Sequence, residues 1–173
     1  IASDMQNVEA GVSFYDIFEK EELFDLFQIH NFRLYVGNGT CPWGKDIIMN
    51  SLKPLLRNIL DSANEAIKDG SVAATLRFGH DSNLCPLTGI LELEGCANEE
   101  TDPAKFYQAW SSFKISPMAG NVQLVFFRKN GSDDILVKLL HNEKEVSIPV
   151  KTATPPYYHW SDVEKFYRAK LED

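Results

Sequence analysis

The feature that most constrains this chain is the stretch Val72–Asn83, which reads VAATLRFGHDSN. An apolar run ends abruptly at Gly79-His80-Asp81, and apolar residues at helical spacing resume at Leu84. The run Val72–Phe78 is nearly all apolar, which predicts a central strand buried on both faces. Such a strand would deliver an imidazole and a carboxylic acid, side by side, to the start of a helix.

This pairing favours an anionic ligand. A helix N-terminus presents unpaired N–H groups and a partial positive charge, so it attracts anions. Histidine can bind or carry an anionic group, and an adjacent acid can supply a proton. Gly79 lets the backbone pass close to a ligand. The stretch therefore suits a phosphate ester, although the residues alone leave open a surface His–Asp pair without chemistry.

Length and charge narrow the function classes. The chain has 173 residues, which fits a single domain. Its net charge of −8 and its scattered Lys and Arg argue against a nucleic-acid partner. No apolar segment reaches the ~20 residues needed to span a bilayer, so no membrane span is expected. The first eleven residues lack the pattern of a signal peptide, and a start without methionine is typical of a processed or shortened chain.

Local patterns predict an order of elements, with residues 1–70 mainly helical and 71–173 forming a sheet-and-helix part of one domain. One predicted helix starts near Ser13, and a second covers Glu21–Val36. A third covers Asp46–Lys68 with Gly70 as C-cap, or starts near Lys53 because of Pro54. The others run from Leu84, after the loop Gly79–Asn83, to about Leu93 with Pro86 in the first turn, and over Asp102–Ser112 and Ser161–Leu171. The predicted strands after Val72–Phe78 are Val122–Lys129, Ile135–His141 and Glu145–Val150.

The stretch Leu76–Asn83 resembles the second catalytic motif of the histidine phosphatases, in their acid phosphatase branch, where a strand ends in a G-H-D-T-N-like sequence. Ser82 stands in place of the usual Thr and keeps the hydroxyl. Segments outside the motif resemble bacterial inositol polyphosphate phosphatase-like members, so the similarity covers most of the chain. These segments are Leu55–Leu60 with Ala63, Pro117–Gln123, Asp134–Glu145 and Pro156–Trp160.

The resemblance implies a partial histidine phosphatase (phosphoglycerate mutase-like) α/β fold, with a helical segment and a mixed sheet flanked by helices. It implies that His80 binds phosphate oxygens and that Asp81 protonates the leaving alkoxide. Arg77, Ser82 and Asn83 become candidates for substrate binding, although strand alternation leaves open which side of the strand Arg77 faces. The implied substrate is a phosphorylated small molecule such as an inositol phosphate, with no metal or organic cofactor and a periplasmic or secreted location.

One part of the family pattern is absent from residues 1–173. The family's nucleophile is a histidine in an R-H-G-x-R-x-P motif, and His30, His141 and His159 lack the flanking arginines. The chain is therefore expected to correspond to the C-terminal part of such an enzyme, with the nucleophile outside it. The alternative is a non-catalytic phosphate-ester-binding or interaction module that kept the fold.

The three cysteines leave their pairing open. Cys41, Cys85 and Cys96 form an odd set, which permits one bridge and a free thiol, or a pairing outside the chain. Their spacing does not suggest a metal site, and a reactive role for Cys85 is a third, weaker hypothesis. A fold that lacks a neighbouring strand would expose a sheet edge, so a homodimer through that edge is also expected.

Overall fold

The computed structural model describes residues 5–172 of the chain. Over these residues it contains seven α-helices and four short strands. The helices are α1 (Met5–Glu9), α2 (Lys20–Asn38), α3 (Lys45–Asp69), α4 (Asp81–Ile90), α5 (Phe106–Ala109), α6 (Ser112–Ile115) and α7 (Trp160–Glu172), and the strands are β1 (Val122–Arg128), β2 (Ile135–His141), β3 (Lys144–Val146) and β4 (Tyr158–His159). The predicted α/β class is confirmed.

The two long helices, α2 and α3, follow from local signals. A reciprocal pair of hydrogen bonds between Glu19 and Glu22 caps the start of α2. Gly70 ends α3 in the left-handed conformation, with φ at 66°.

Pro54 does not delay the start of α3, which begins at Lys45 rather than near Lys53. An interior proline costs ~3 kcal/mol. The helix buries Leu52, Leu56 and Leu60 on one face, and burial of each leucine contributes ~1.5–3 kcal/mol. Burial of the leucine face therefore outweighs the cost of the proline.

The sheet is small, and every described pairing in it is antiparallel, where a mixed sheet was expected. β1 and β2 pair from Val122 opposite His141 to Arg128 opposite Ile135. Both β3 and β4 also pair with β2. The confirmed hairpin supplies one buried face from alternate β2 residues, and α7 packs against it.

The predicted strand Val72–Phe78 is wrong for this structure. Residues 71–80 contain no helix or strand and are all solvent-exposed. Leu76 is 75% exposed and Phe78 is 93% exposed. A strand requires hydrogen bonds from a neighbour, and no strand within residues 5–172 pairs with this segment. The apolar sequence signal is present, but its partner is not.

Three further boundaries differ from the prediction. Helix α4 begins at Asp81 and ends at Ile90, so Pro86 is its sixth residue rather than part of its first turn. Near Ser13 only a 3-10 turn forms, at Tyr15–Ile17. The predicted strand Glu145–Val150 is reduced to β3.

The helix predicted over Asp102–Ser112 is broken. It divides into a 3-10 turn at Pro103–Lys105, α5 and α6. Trp110, between α5 and α6, adopts an extended backbone with φ −144° and ψ 127°. The side chain of Asn31 on α2 bonds both sides of the break, because Nδ2 donates to the Trp110 carbonyl at 2.9 Å and Oδ1 accepts from the Ser112 N–H at 2.7 Å. A contact from a distant helix therefore replaces the local helical bonds.

Candidate functional site

The candidate site lies where residues 71–80 enter α4. His80 is the N-cap of α4, and Asp81 is the first helical residue. The His80 carbonyl accepts hydrogen bonds from the N–H groups of Asn83 and Leu84, both at 2.9 Å. His80, Asp81, Ser82 and Asn83 are all solvent-exposed. The structure thus brings the four motif residues together at a helix N-terminus that a ligand can reach from solvent.

The Asp81 carboxylate already makes one contact at this helix end. Its Oδ1 accepts a hydrogen bond from the Ser82 N–H at 2.7 Å. Among the described residues, no donor reaches its second oxygen within hydrogen-bond distance. One carboxylate oxygen is thus anchored by the helix, and the other remains available to a ligand. This geometry is compatible with proton donation to a group bound beside His80.

The backbone at Gly79, just before α4, lies close to the first turn of that helix. A Cβ placed on Gly79 would lie 3.3 Å from Asn83 Oδ1 and 3.5 Å from the Asn83 Cβ. A side chain at position 79 would therefore crowd the Asn83 amide. Glycine allows the backbone to pass here, which keeps His80 next to the start of the helix.

Arg77 does not lie with the other predicted site residues. Its guanidinium donates to Asn58 Oδ1 at 2.7 and 3.2 Å, to the Asn58 carbonyl at 3.3 Å and to Ser62 Oγ at 2.9 Å. Asn58 and Ser62 are one turn apart on α3. This answers the question of orientation that the sequence left open, because Arg77 faces α3 while the neighbouring Leu76 and Phe78 face solvent.

Tight packing behind α4 supports the site. A Cβ on Gly89 would lie 2.8 Å from Thr40 Cγ2, and a Cβ on Gly120 would lie 2.9 Å from Leu84 Cδ2. Leu84 is in the first turn of α4, so the loop that contains Gly120 holds the helix start from one side. Sequence reasoning missed these contacts, because a glycine conveys no information about its packing partner.

Asn58 and Ser62 were not predicted from the sequence as partners of Arg77. Their four-residue spacing places them on one face of a helix, which was the available signal. Nothing in the sequence indicates that this face meets Arg77.

The cysteines are buried thiols with no disulfide. Burial raises the pKa of Cys85 to about 12, with the nearby Asp81 charge as the next cause. Burial likewise raises the pKa of Cys96 to about 11. Since the thiolate is the reactive form of cysteine, neither environment favours a nucleophilic role.

The remaining histidines have other neighbours. His141 Nε2 lies 2.7 Å from the Ile115 carbonyl, and its Nδ1 lies 3.5 Å from Cys96 Sγ. His159 Nδ1 lies 2.8 Å from Asp134 Oδ1, and His30 is exposed on α2.

Across residues 5–172, no three His, Cys, Asp or Glu side chains group in a way that could hold a metal ion. In the same residues, no helix combines the length and apolarity that crossing a bilayer requires.

Solved structures share this fold. The apo form of the multiple inositol polyphosphate phosphatase of Bifidobacterium longum superposes with a TM-score of 0.74 at 22% identity, covering 90% of this chain and 34% of that one. Its complex with phosphate gives 0.67 at 24% identity, covering 80% and 30%. Its complex with inositol hexasulfate gives 0.68 at 24% identity, covering 82% and 30%. The chain thus spans about a third of the length of these structures.

The family comparison covers most of the chain. A comparison with curated protein sequences finds no match. The family model of the histidine phosphatase superfamily (branch 2) matches residues 3–142, a range that includes the whole of the His80–Asn83 motif. The chain therefore belongs to branch 2 of the histidine phosphatase superfamily.

Proposed function

We propose that this chain is the C-terminal part of a phosphomonoesterase in which His80 binds the phosphate and Asp81 donates a proton. The observation that carries the proposal is the exposed His80–Asp81 pair at the N-terminus of α4, within a family of phosphatases. The helix end and the imidazole favour the phosphate oxygens. The acid stands one residue further along the chain, next to the bound group.

The proposed reaction proceeds through a phosphohistidine. A histidine nitrogen from outside residues 1–173 attacks phosphorus and forms the P–N bond, while the bond from phosphorus to the ester oxygen breaks. Protonated Asp81 gives its proton to the departing alkoxide. Water then attacks the phosphohistidine: its oxygen bonds to phosphorus as the P–N bond breaks, one of its protons passes to Asp81, and inorganic phosphate leaves. A positioned acid of this kind contributes typically 10²–10⁴-fold in rate.

An inositol polyphosphate, such as phytate, is the substrate class we propose. The support is the shared fold with structures of an inositol polyphosphate phosphatase. The chain carries a net charge of −8, so a highly anionic substrate needs local positive charge. Among the predicted site residues Arg77 carries the fixed positive charge, and its guanidinium is bound to α3. We propose that further cations for such a substrate lie outside this chain, together with the nucleophile.

Phosphate titration of the chain tests the proposed roles. The backbone amide resonances of Asn83 and Leu84, which every variant retains, are followed by NMR as inorganic phosphate is added at pH 5. Phosphate should shift these resonances in the wild type and in Asp81→Asn. It should not bind to His80→Ala, while the exposed His30→Ala control binds as the wild type does. Equal phosphate binding by His80→Ala and the wild type would remove the basis of the proposal.

A turnover assay addresses the missing nucleophile. Residues 1–173 alone should not hydrolyse p-nitrophenyl phosphate or phytate. Robust hydrolysis that His80→Ala abolishes would contradict an external nucleophile. The alternative is a non-catalytic binding module that kept the fold. An in-frame R-H-G-x-R-x-P segment before Ile1 in the coding sequence would support the enzyme over the module.

We also propose that two copies associate through the exposed segment Val72–Phe78. Leu76 and Phe78 expose most of their apolar surface there, and unpaired backbone favours pairing with another chain. Light scattering at high concentration should detect a dimer that Phe78→Ser weakens. Ile47→Ser, at a residue 80% exposed on α3, is the matched control. A monomer at all concentrations would contradict the dimer.

For location we propose the periplasm or the exterior, which rests on analogy with acid phosphatases of this branch. Fractionation of cells that express the complete gene, followed by detection of this chain, tests the proposal. Recovery in the cytoplasmic fraction alone would refute it.

A further inference from the structure

The Arg77 guanidinium is the tether of the segment that leads into the site. Within residues 5–172, its bonds to Asn58 and Ser62 are the only hydrogen bonds that join residues 72–79 to another element. Apolar packing does not replace them, since Leu76 and Phe78 are 75% and 93% exposed. The conformation of this segment therefore depends strongly on one side chain.

The tether acts close to His80. Three residues span at most about 10 Å of extended chain, so the backbone between Arg77 and His80 has little freedom once both ends are held. His80 is the other fixed point, because its carbonyl accepts from the N–H groups of Asn83 and Leu84. Phe78 and Gly79 lie between these two anchors. The Arg77 bonds to α3 and the His80 bonds to α4 together fix the direction in which the chain enters α4.

We propose that Arg77 is a positioning residue, which orients His80 through the Asn58–Ser62 face of α3 and does not bind the phosphate itself. The inference rests on the proposed function of His80 as the phosphate-binding group. Arginine suits this role because its planar fork donates several hydrogen bonds in a fixed geometry. Lysine carries the same charge but cannot reproduce that fork. All four bonds to α3 come from Nε and Nη2, so phosphate bound by this side of the guanidinium would have to displace them.

The two roles predict opposite effects of Asn58→Ala. This substitution changes no charge, and Asn58 lies on α3 outside the motif. If Arg77 positions His80, Asn58→Ala weakens phosphate binding as Arg77→Ala does, and Arg77→Lys does not restore it. If Arg77 is a phosphate ligand, Asn58→Ala frees it and leaves binding unchanged or stronger, and Arg77→Lys retains most of the affinity.

The experiment titrates inorganic phosphate into the full chain and follows the His80 imidazole resonances by NMR. We expect Arg77→Ala and Asn58→Ala to raise the Kd about fivefold or more, because a His80 that is no longer pre-ordered must be ordered when phosphate binds. Arg57→Ala is the matched control, since Arg57 is exposed beside Asn58 and makes no hydrogen bond or ion pair with the described residues. It removes the same charge and should leave the Kd unchanged. Unchanged or tighter binding by Asn58→Ala would overturn the proposal.

Backbone ¹⁵N relaxation separates this inference from the proposed function. Order parameters of residues 72–79 should fall in Arg77→Ala and Asn58→Ala toward the flexible range below about 0.6, while Arg57→Ala matches the wild type. If the wild type binds no phosphate, the role of His80 fails, and lower order parameters in the two variants still support the tether. Equal order parameters in all variants would overturn the positioning role, whatever the phosphate titration gives.

Discussion

The buried amide of Asn31 should be among the most sensitive side chains for stability. Asn31 is 1% exposed, and it satisfies the Trp110 carbonyl and the Ser112 N–H at the break between α5 and α6. Asn31→Ala leaves both groups without their partner, at ~1–3 kcal/mol each. Alanine regains about 0.5 kcal/mol of helix propensity within α2. The free energy of unfolding should therefore fall by ~2–5 kcal/mol, from a total that is typically ~5–15 kcal/mol for a domain.

Urea unfolding followed by circular dichroism measures this change. With a slope of about 2 kcal/mol per molar urea, the midpoint should fall by about 1–2.5 M. The exposed neighbour His30→Ala on α2 is the control and should shift the midpoint little. Asn31→Asp should destabilise at least as much, because it replaces the donor to Trp110 with a buried carboxylate. If Asn31→Ala shifted the midpoint no more than His30→Ala, the assignment of this bridge would be refuted.

Two further predictions concern titrating groups. Burial raises the pKa of Cys85 to about 12 and that of Cys96 to about 11, so neither thiol should react with iodoacetamide at pH 8 in the native chain, and both should react in urea. Modification of native Cys85 at the rate of a free peptide thiol, detected by mass spectrometry, would contradict its burial. The hydrogen bond that His159 donates to the Asp134 carboxylate, followed by the charge of that carboxylate, raises the pKa of His159. The pair therefore stabilises the fold below the unfolded pKa of His159 and loses that contribution as pH rises through the folded pKa. The Tm advantage of the wild type over Asp134→Asn should therefore be small but measurable at pH 5.5 and vanish by pH 9; an advantage that grows with pH would contradict the assignment.

Parts of the fold that depend on near neighbours in sequence were predicted well. Helix α3 ends at Gly70 and the β1–β2 hairpin forms as expected, since a C-cap glycine and a turn act over a few residues. A helix after the His80–Asn83 motif was also predicted, and it forms, although it begins at Asp81, three residues before the predicted start. The predicted roles of His80 and Asp81 remain predictions.

Features that depend on distant neighbours were not predictable. The break at Trp110 is made by Asn31, 79 residues earlier in the chain. The orientation of Arg77 is set by Asn58, 19 residues earlier. A single sequence carries no signal for such pairs, because either side chain could equally face solvent.

The stretch Val72–Asn83 contains both kinds of information. Its sequence by itself determined the chemistry: an apolar run, a glycine, and an imidazole next to a carboxylic acid at a helix start, which is a matter of covalent order and local backbone preference. The tertiary structure decided that Val72–Phe78 has no strand partner among the described residues, that Arg77 binds α3, and that His80 and Asp81 stand open to solvent. Helical hydrogen bonds close within four residues, whereas strand pairing and side-chain tethers need partners that only the folded chain brings near.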